Sequence, residues 1–210
     1  MHLSSYVAGN LFANIYGGPN KIVVDLGGKN VNGSLRNFFE NLGMKYICVD
    51  MDEHSSVDII VKPGEKLPFD NNSIDLIVST SCFEHDPCFW MTFKEMTRII
   101  KDDGFIYVNA PSNGPYHGYP GDNWRFYGDA GQALSYWSGI QIADEVTFPM
   151  KIVETFTIII DNVELWHDFI CIWQRTDKKE ENIIVPDHIN NNIGILEKSL
   201  NDSGYPTKKH

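Results

Sequence analysis

Two groups of residues have the types and spacing to do chemistry. The first lies in 111–129, where His117, Asp122, Trp124 and Arg125 sit among Gly114, Gly118, Gly121, Gly128, Pro115 and Pro120. A histidine with a carboxylate partner is the usual means of taking a proton near neutral pH. The plain alternative is a rigid loop in which His117 and Asp122 bond backbone and Trp124, Phe126 and Tyr127 are core. Glu84 and His85 form a rival pair: His85 can line a pocket or act as base instead, while Glu84 reads as a hydrogen-bonded brace. The second group is the run Asp25, Gly27, Gly28 and Gly33, with Asp50 following a second apolar run. Glycines at a strand end let a ligand approach the backbone, and an acid at the end of the next strand can accept both ribose hydroxyls of a nucleoside. A tight turn and a solvated aspartate explain the same residues without a ligand.

These residues need elements to hold them. The β-branched run 21–26 predicts a buried strand. Leu35, Phe38, Phe39 and Leu42 recur at helical spacing before Gly43, which predicts a helix over 31–42. Strands are expected at 46–49, 57–61, 74–79 and 105–110, and helices at 89–100 and 131–137. Strands alternating with helices, apolar nearly throughout, predict a parallel sheet covered on both faces. In such sheets ligands bind beyond the carboxyl ends of the strands, where Gly27, Asp50, Glu84 and the 111–129 loop all fall. Two further strands, 140–148 and 168–174, are expected to pair antiparallel at the sheet edge. Residues 1–20 read as a lead-in helix ended by Gly17, Gly18 and Pro19, residues 21–175 as one domain, and the polar stretch 176–210 as a peripheral, partly disordered arm.

The 210 residues carry a formal charge of −11, which opposes grip on nucleic acid or an anionic membrane. No apolar run approaches the roughly 18 residues of a membrane span, and the start lacks the basic and apolar regions of a signal peptide. Cys48, Cys82, Cys88 and Cys171 form no Cys-x-x-Cys pair, which reads as a reducing, cytoplasmic protein without a disulfide framework. No His, Asp or Glu pair recurs at ligand spacing, so no metal is expected. His54, His167 and His188 read as surface or packing residues, and a homodimer is left open.

The stretch GEKLPFDNNSIDLIVS (64–79) resembles the segment between strands three and four of class I S-adenosylmethionine-dependent methyltransferases, of the type 11-like group. SCFEH (81–85) and KEMTRIIKDDGFIYVNAPS (94–112) are similar to that superfamily's post-strand-four segment and its helix, turn and fifth strand. VNGSLR (31–36), FEHDPCFWMTFKEMTRI (83–99) and PSNGPYHGYPGDNWRFYGDAG (111–131) resemble a branch associated with sugar and polysaccharide modification. The likeness runs from about residue 20 to 140. The G-x-G-x-x-G of dehydrogenases is absent, as is the D/N-P-P-Y/F of DNA amino-methyltransferases; Lys29 and Val31 stand where the family's later glycines fall.

The resemblance implies a Rossmann-like α/β fold with a seven-stranded, mostly parallel sheet, an antiparallel edge hairpin and helices on both faces. It implies S-adenosylmethionine as methyl donor, held by Asp25, Gly27, Gly28, Gly33, Asp50, Met51, Gly64, Glu65 and Ser81. Met51 is the candidate for apolar contact with adenine, because Pro63 and Gly64 stand where many members have an acid. For a hydroxyl acceptor His117 would take the proton, oriented by Asp122, with His85 as rival. Tyr116, Trp124, Arg125 and Tyr127 would meet the acceptor, the aromatics by stacking on a sugar or base and Arg125, with Lys29, by pairing a phosphate. The expected reaction is methylation of a sugar or nucleotide-sugar hydroxyl. N-methylation of an amino sugar and a non-catalytic binding or assembly module are the alternatives.

Overall fold

The centre of the sheet is built from the runs that read as continuous apolar strands. In the computed structural model, which describes residues 2–118, 120–142, 145–159, 166–176 and 194–210, β1 (Ile22–Leu26) pairs in parallel with β2 (Lys45–Asp50) and β4 (Ile74–Thr80). β3 (Ile59–Ile60) adds in parallel to β2, and β5 (Ile100–Pro111) adds in parallel to β4. Three antiparallel strands complete the other side: β9 (His167–Arg175) against β5, β8 (Met150–Ile159) against β9, and β10 (Thr207–Lys209) against β8. The order across the sheet is β10-β8-β9-β5-β4-β1-β2-β3.

Alternation along the strands sends side chains to two cores. On one face Val23, Leu76, Val78, Tyr107, Ile170 and Ile172 pack with Phe12 of α1 (Leu3–Tyr16), Phe39 of α2 (Arg36–Asn41) and Leu196 and Leu200 of α5 (Ile195–Asp202). On the other, Val24, Leu26, Ile77, Ile106, Val108, Phe169 and Trp173 pack with Phe93 and Met96 of α3 (Phe89–Ile99) and Leu134 of α4 (Ala130–Trp137). Trp173, wholly buried, satisfies its indole N–H on the Gly131 carbonyl and Ser135 Oγ of α4, at 3.2 and 3.0 Å.

The doubly covered, mostly parallel sheet is as expected; several details differ. The helix expected over 31–42 begins only at Arg36, because Gly33 takes φ 136° and its N–H is held by Asn30 Oδ1 at 3.1 Å in a loop. The strand expected over 57–61 is reduced to Ile59–Ile60. The stretch 140–148 does not reach the main sheet: β6 (Ile140–Ile142) and β7 (Glu145–Thr147) make a separate two-stranded sheet, with 143 and 144 outside the described residues. The true edge partner of β9 is β8, passed over because Glu154 interrupts its apolar pattern. That carboxylate is buried, and it accepts the Tyr16 hydroxyl at 3.2 Å and the backbone N–H groups of Leu196 and Glu197 at the start of α5, at 3.4 and 3.2 Å. Among the described residues the main sheet therefore has eight strands rather than seven, the eighth supplied by the C-terminal segment. Residues 177–193 of the expected polar arm, His188 included, lie outside the described set, but 194–210 dock firmly, with Leu196 and Leu200 fully buried. Among the described residues, no helix is long and apolar enough to cross a membrane.

Candidate active site

The carboxyl ends of β1, β2, β4 and β5 surround a cavity of about 350 Å³, within the roughly 300–1,000 Å³ of ligand pockets. One wall is the turn after β1. Gly27 takes φ 75°, and a Cβ there would meet Cys82 Sγ at 2.4 Å. A Cβ on Gly28 would meet Asp25 Cγ at 2.8 Å and Cys48 Sγ at 2.9 Å. Both glycines let backbone lie where a side chain would otherwise stand, and that backbone faces the cavity. Beneath it Asp25 is buried and accepts a short hydrogen bond from the Tyr46 hydroxyl. Burial raises the Asp25 carboxyl to about 7 although that bond pulls it down.

Asp50 ends β2 beside this turn. Its Oδ2 accepts the Lys29 N–H and its Oδ1 the Asp52 N–H, each at 3.2 Å, so two backbone donors fix a half-buried carboxylate at the cavity edge. Met51, Val61 and Leu67 supply apolar wall, and Gly33, Glu65 and Ser81 also border the cavity. Glu65 Oε2 accepts the Lys62 N–H at 2.9 Å. Ser81 takes φ 51° and donates its N–H to the Asn109 carbonyl at 3.0 Å. Gly64 turns the chain with φ 81° and stands outside the described lining.

The opposite wall joins the turn after β4 to the loop after β5. Asn123 and Trp124 donate their N–H groups to the Glu84 carbonyl at 2.7 and 3.2 Å, Asn123 Nδ2 donates to the His85 carbonyl at 2.9 Å, and Trp124 Nε1 to the Asp86 carbonyl at 2.9 Å. This clasp brings His85 and His117 ring to ring, with centroids 4.9 Å apart. His117 Nδ1 is 3.1 Å from Asp122 Oδ2. Asp122 in turn accepts the His117 backbone N–H at 2.9 Å and both terminal nitrogens of Arg125. The bidentate guanidinium holds the Asp122 carboxyl far below the usual carboxylate range. His117 Nδ1 thus faces the Asp122 carboxylate, with Arg125 Nη2 3.5 Å from the same nitrogen while it donates to Asp122 Oδ2 at 2.7 Å. His85 Nδ1 likewise meets the Gly121 carbonyl in a short contact, and burial lowers its pKa, favouring neutral imidazole.

The two expected base candidates are thus adjacent rather than alternative places in the molecule. Asp122 and Arg125 stand behind His117, outside the described lining. Trp124 braces the clasp, and Tyr116 and Tyr127 are exposed by 78% and 73% and border solvent rather than the cavity. Expected acceptor contacts from these four residues therefore find no support in the lining. Glu84, expected as a hydrogen-bonded brace, accepts the clasp at its carbonyl and also lines the cavity. It is buried, with Oε2 lacking any hydrogen-bond partner, and burial raises its pKa to about 8. Sequence reasoning missed Trp166 and Asp168. Both line the cavity, with the Trp166 ring 4.8 Å from His117, and Asp168 accepts the hydroxyls of Ser4 and Ser5 at 2.9 Å each. The run Trp166-His167-Asp168 entering β9 was the available signal.

Comparison with known proteins bears on the fold. Residues 25–108 match the family model "Methyltransferase domain". An uncharacterized methyltransferase of Mycobacterium leprae, found in strains Br4923 and TN, is 26% identical over 144 residues, covering 62% of this chain and 53% of that protein. The chain thus spans about half the length of the curated relatives it matches. Among solved structures, Burkholderia thailandensis 1,6-didemethyltoxoflavin-N1-methyltransferase with bound 1,6-didemethyltoxoflavin and S-adenosylhomocysteine is similar with TM-score 0.62 at 15% identity, covering 83% of this chain and 79% of that one. Geranyl diphosphate C-methyltransferase from Streptomyces coelicolor A3(2), in complex with Mg2+, geranyl diphosphate and S-adenosylhomocysteine, gives 0.57 at 12%, covering 80% and 79%. The fold is that of the class I methyltransferases. Within it, residues 25–108 are the stretch that is similar to a methyltransferase domain.

Proposed function

We propose that this chain transfers a methyl group from S-adenosylmethionine to a hydroxyl of a small-molecule acceptor, a sugar or nucleotide-linked sugar. One observation carries the reading: a single cavity is bordered at one end by Gly27, Gly28 and Asp50 and at the other by His85 and His117. The donor fits the first end. Backbone of Gly27 and Gly28 lines it, Asp50 has acceptor capacity beyond its two backbone donors for ribose hydroxyls, and Met51 and Val61 are apolar neighbours suited to a base. When bound, S-adenosylmethionine supplies an electrophilic methyl group on a sulfonium sulfur.

The residues at the other end do the rest. His117 offers Nε2 as the proton acceptor for the hydroxyl, and Asp122 holds the ring and stabilises its charged form. Trp166 beside His117 gives the acceptor an aromatic surface and helps exclude water. The carboxylates of Glu84, Asp86 and Asp168 in the same wall favour a second reading, an amine acceptor such as an amino sugar.

The test has two stages. S-adenosylmethionine and S-adenosylhomocysteine should each raise the melting temperature; a non-catalytic module would ignore both. Transfer of labelled methyl is then measured across sugars, amino sugars and nucleotide sugars. Product on a hydroxyl supports the reading, product on nitrogen moves it to the amine, and donor binding without product on any sugar removes the acceptor assignment.

A further inference from the structure

The acceptor end of the cavity holds a second set of chemically competent atoms. Glu84, His85 and His117 each offer one ligand atom, and the three lie within 4.8 Å of one another. Glu84 Oε1 and His85 Nε2 are 3.6 Å apart. Two ligands with bonds of about 2.1 Å at tetrahedral angles stand roughly 3.4 Å apart, so this pair is already spaced for one ion.

The outer contacts have the form that metal-binding histidines keep, in which the distal ring nitrogen donates to a carbonyl or carboxylate and so fixes the lone pair on the other. His85 Nδ1 meets the Gly121 carbonyl and His117 Nδ1 the Asp122 carboxylate. In His85 this leaves Nε2 as the donor atom, and in His117 the Nδ1 contact with Asp122 orients the ring so that Nε2 can serve the same way. An independent feature points the same way. Glu84, 1% exposed, lines the cavity, and Oε2 of the same carboxylate whose Oε1 faces His85 has no hydrogen-bond partner. A buried carboxylate with one oxygen lacking any donor is unfavourable, and a cation bound by that carboxylate and the imidazoles would compensate it.

We propose that Glu84, His85 and His117 bind a divalent first-row transition-metal ion of the zinc or cobalt kind. Two imidazoles and one carboxylate suit those ions, whereas magnesium and calcium prefer all-oxygen shells. Linear spacing hides such a site, because Glu84 and His85 are adjacent and the third ligand arrives on a different loop. Three protein ligands leave coordination positions open toward the cavity. There an oxygen of the acceptor would be held; with His117 Nε2 then committed to the ion, the ion rather than that nitrogen would ease loss of the hydroxyl proton to solvent. This role rests on the methyl-transfer reading; metal binding itself does not.

The experiment uses untagged full-length protein stripped with EDTA, dialysed, and titrated with Co2+ while the visible spectrum is recorded. The expected result is d–d absorption saturating at one Co2+ per chain and abolished by equimolar Zn2+. Glu84→Gln, which keeps the shape of the side chain, should weaken Co2+ binding at least tenfold, and His54→Ala, remote from the site, should bind as wild type. The double variant His85→Ala/His117→Ala should lose the bands, with its fold checked by circular dichroism. Absence of saturable bands in the wild type, or full affinity in folded Glu84→Gln, overturns the site. S-adenosylhomocysteine binding is measured in the same metal-free sample. Donor binding without cobalt binding removes the metal and spares the methyl-transfer reading; cobalt binding without donor binding does the reverse.

Discussion

His117 Nδ1 stands 3.1 Å from Asp122 Oδ2, and the same carboxylate is gripped by both terminal nitrogens of Arg125. The imidazole is therefore oriented by a group that is itself immobilised. Asp122→Asn should leave S-adenosylhomocysteine affinity within about twofold, because the donor end lies elsewhere. It should lower methyl transfer to the acceptor found in the sugar panel by roughly 10²–10⁴-fold, the usual worth of a positioned base. Paired calorimetry and single-turnover rates read the two effects separately; a loss confined to donor affinity would contradict the assignment.

Glu84 makes stability depend on pH. Burial raises its carboxyl from 4.5 to about 8, so across that window the native state holds a proton that the unfolded chain has released. Stability then falls as pH rises from about 4.5 to 8 and levels off above it. In EDTA-containing buffer Glu84→Gln should match wild type near pH 4.5 and melt several degrees higher at pH 8.5. Melting curves at four or five pH values check this. Asp25, raised to about 7 by burial, adds a decline of the same sign that remains in the variant. Equal melting temperatures at pH 8.5 would show that the carboxylate is not strained.

Gly28→Ala tests the close approach of the β1 turn to Asp25. The added methyl would stand 2.8 Å from Asp25 Cγ and 2.9 Å from Cys48 Sγ, with little room to relax among buried atoms. A loss of about 1–3 kcal/mol in urea denaturation is expected, together with weaker S-adenosylhomocysteine binding. Unchanged stability and binding would mean the turn has slack.

The central strands and α3 were legible because their apolar periodicity is set by burial on two faces. The residues of the candidate site stood out by type, since His117 and Asp122 sit in a loop and Asp50 at a strand end, where packing alone gives little reason for them. What was not legible depended on contacts between distant segments. Glu154 reads as a break in a strand until the Tyr16 hydroxyl and the start of α5 are seen to satisfy it. Glu84 reads as a brace until Asn123 and Trp124, pinned to its carbonyl, bring His117 beside it. Arg125 and Trp124 looked like acceptor contacts by type, but their partners on Asp122 and Asp86 make them supports.

The docked C-terminal segment gives a stability prediction. Leu200 is fully buried against the α1 face of the sheet. Leu200→Ala should cost about 2–5 kcal/mol, whereas Lys208→Ala, exposed on the edge strand β10, should change stability by less than about 0.5 kcal/mol. Chemical denaturation of the full chain distinguishes them. A small effect at Leu200 would mean that the segment adds little to the core.

The most direct test of the account is calorimetric titration of S-adenosylhomocysteine into wild type and Asp50→Ala. The carboxylate, fixed by the N–H groups of Lys29 and Asp52, is assigned to the donor ribose. The account predicts saturable 1:1 binding to wild type and a loss of about 1–3 kcal/mol in the variant, roughly 5- to 150-fold in Kd. No binding to wild type, or an unchanged Kd in Asp50→Ala, would contradict it.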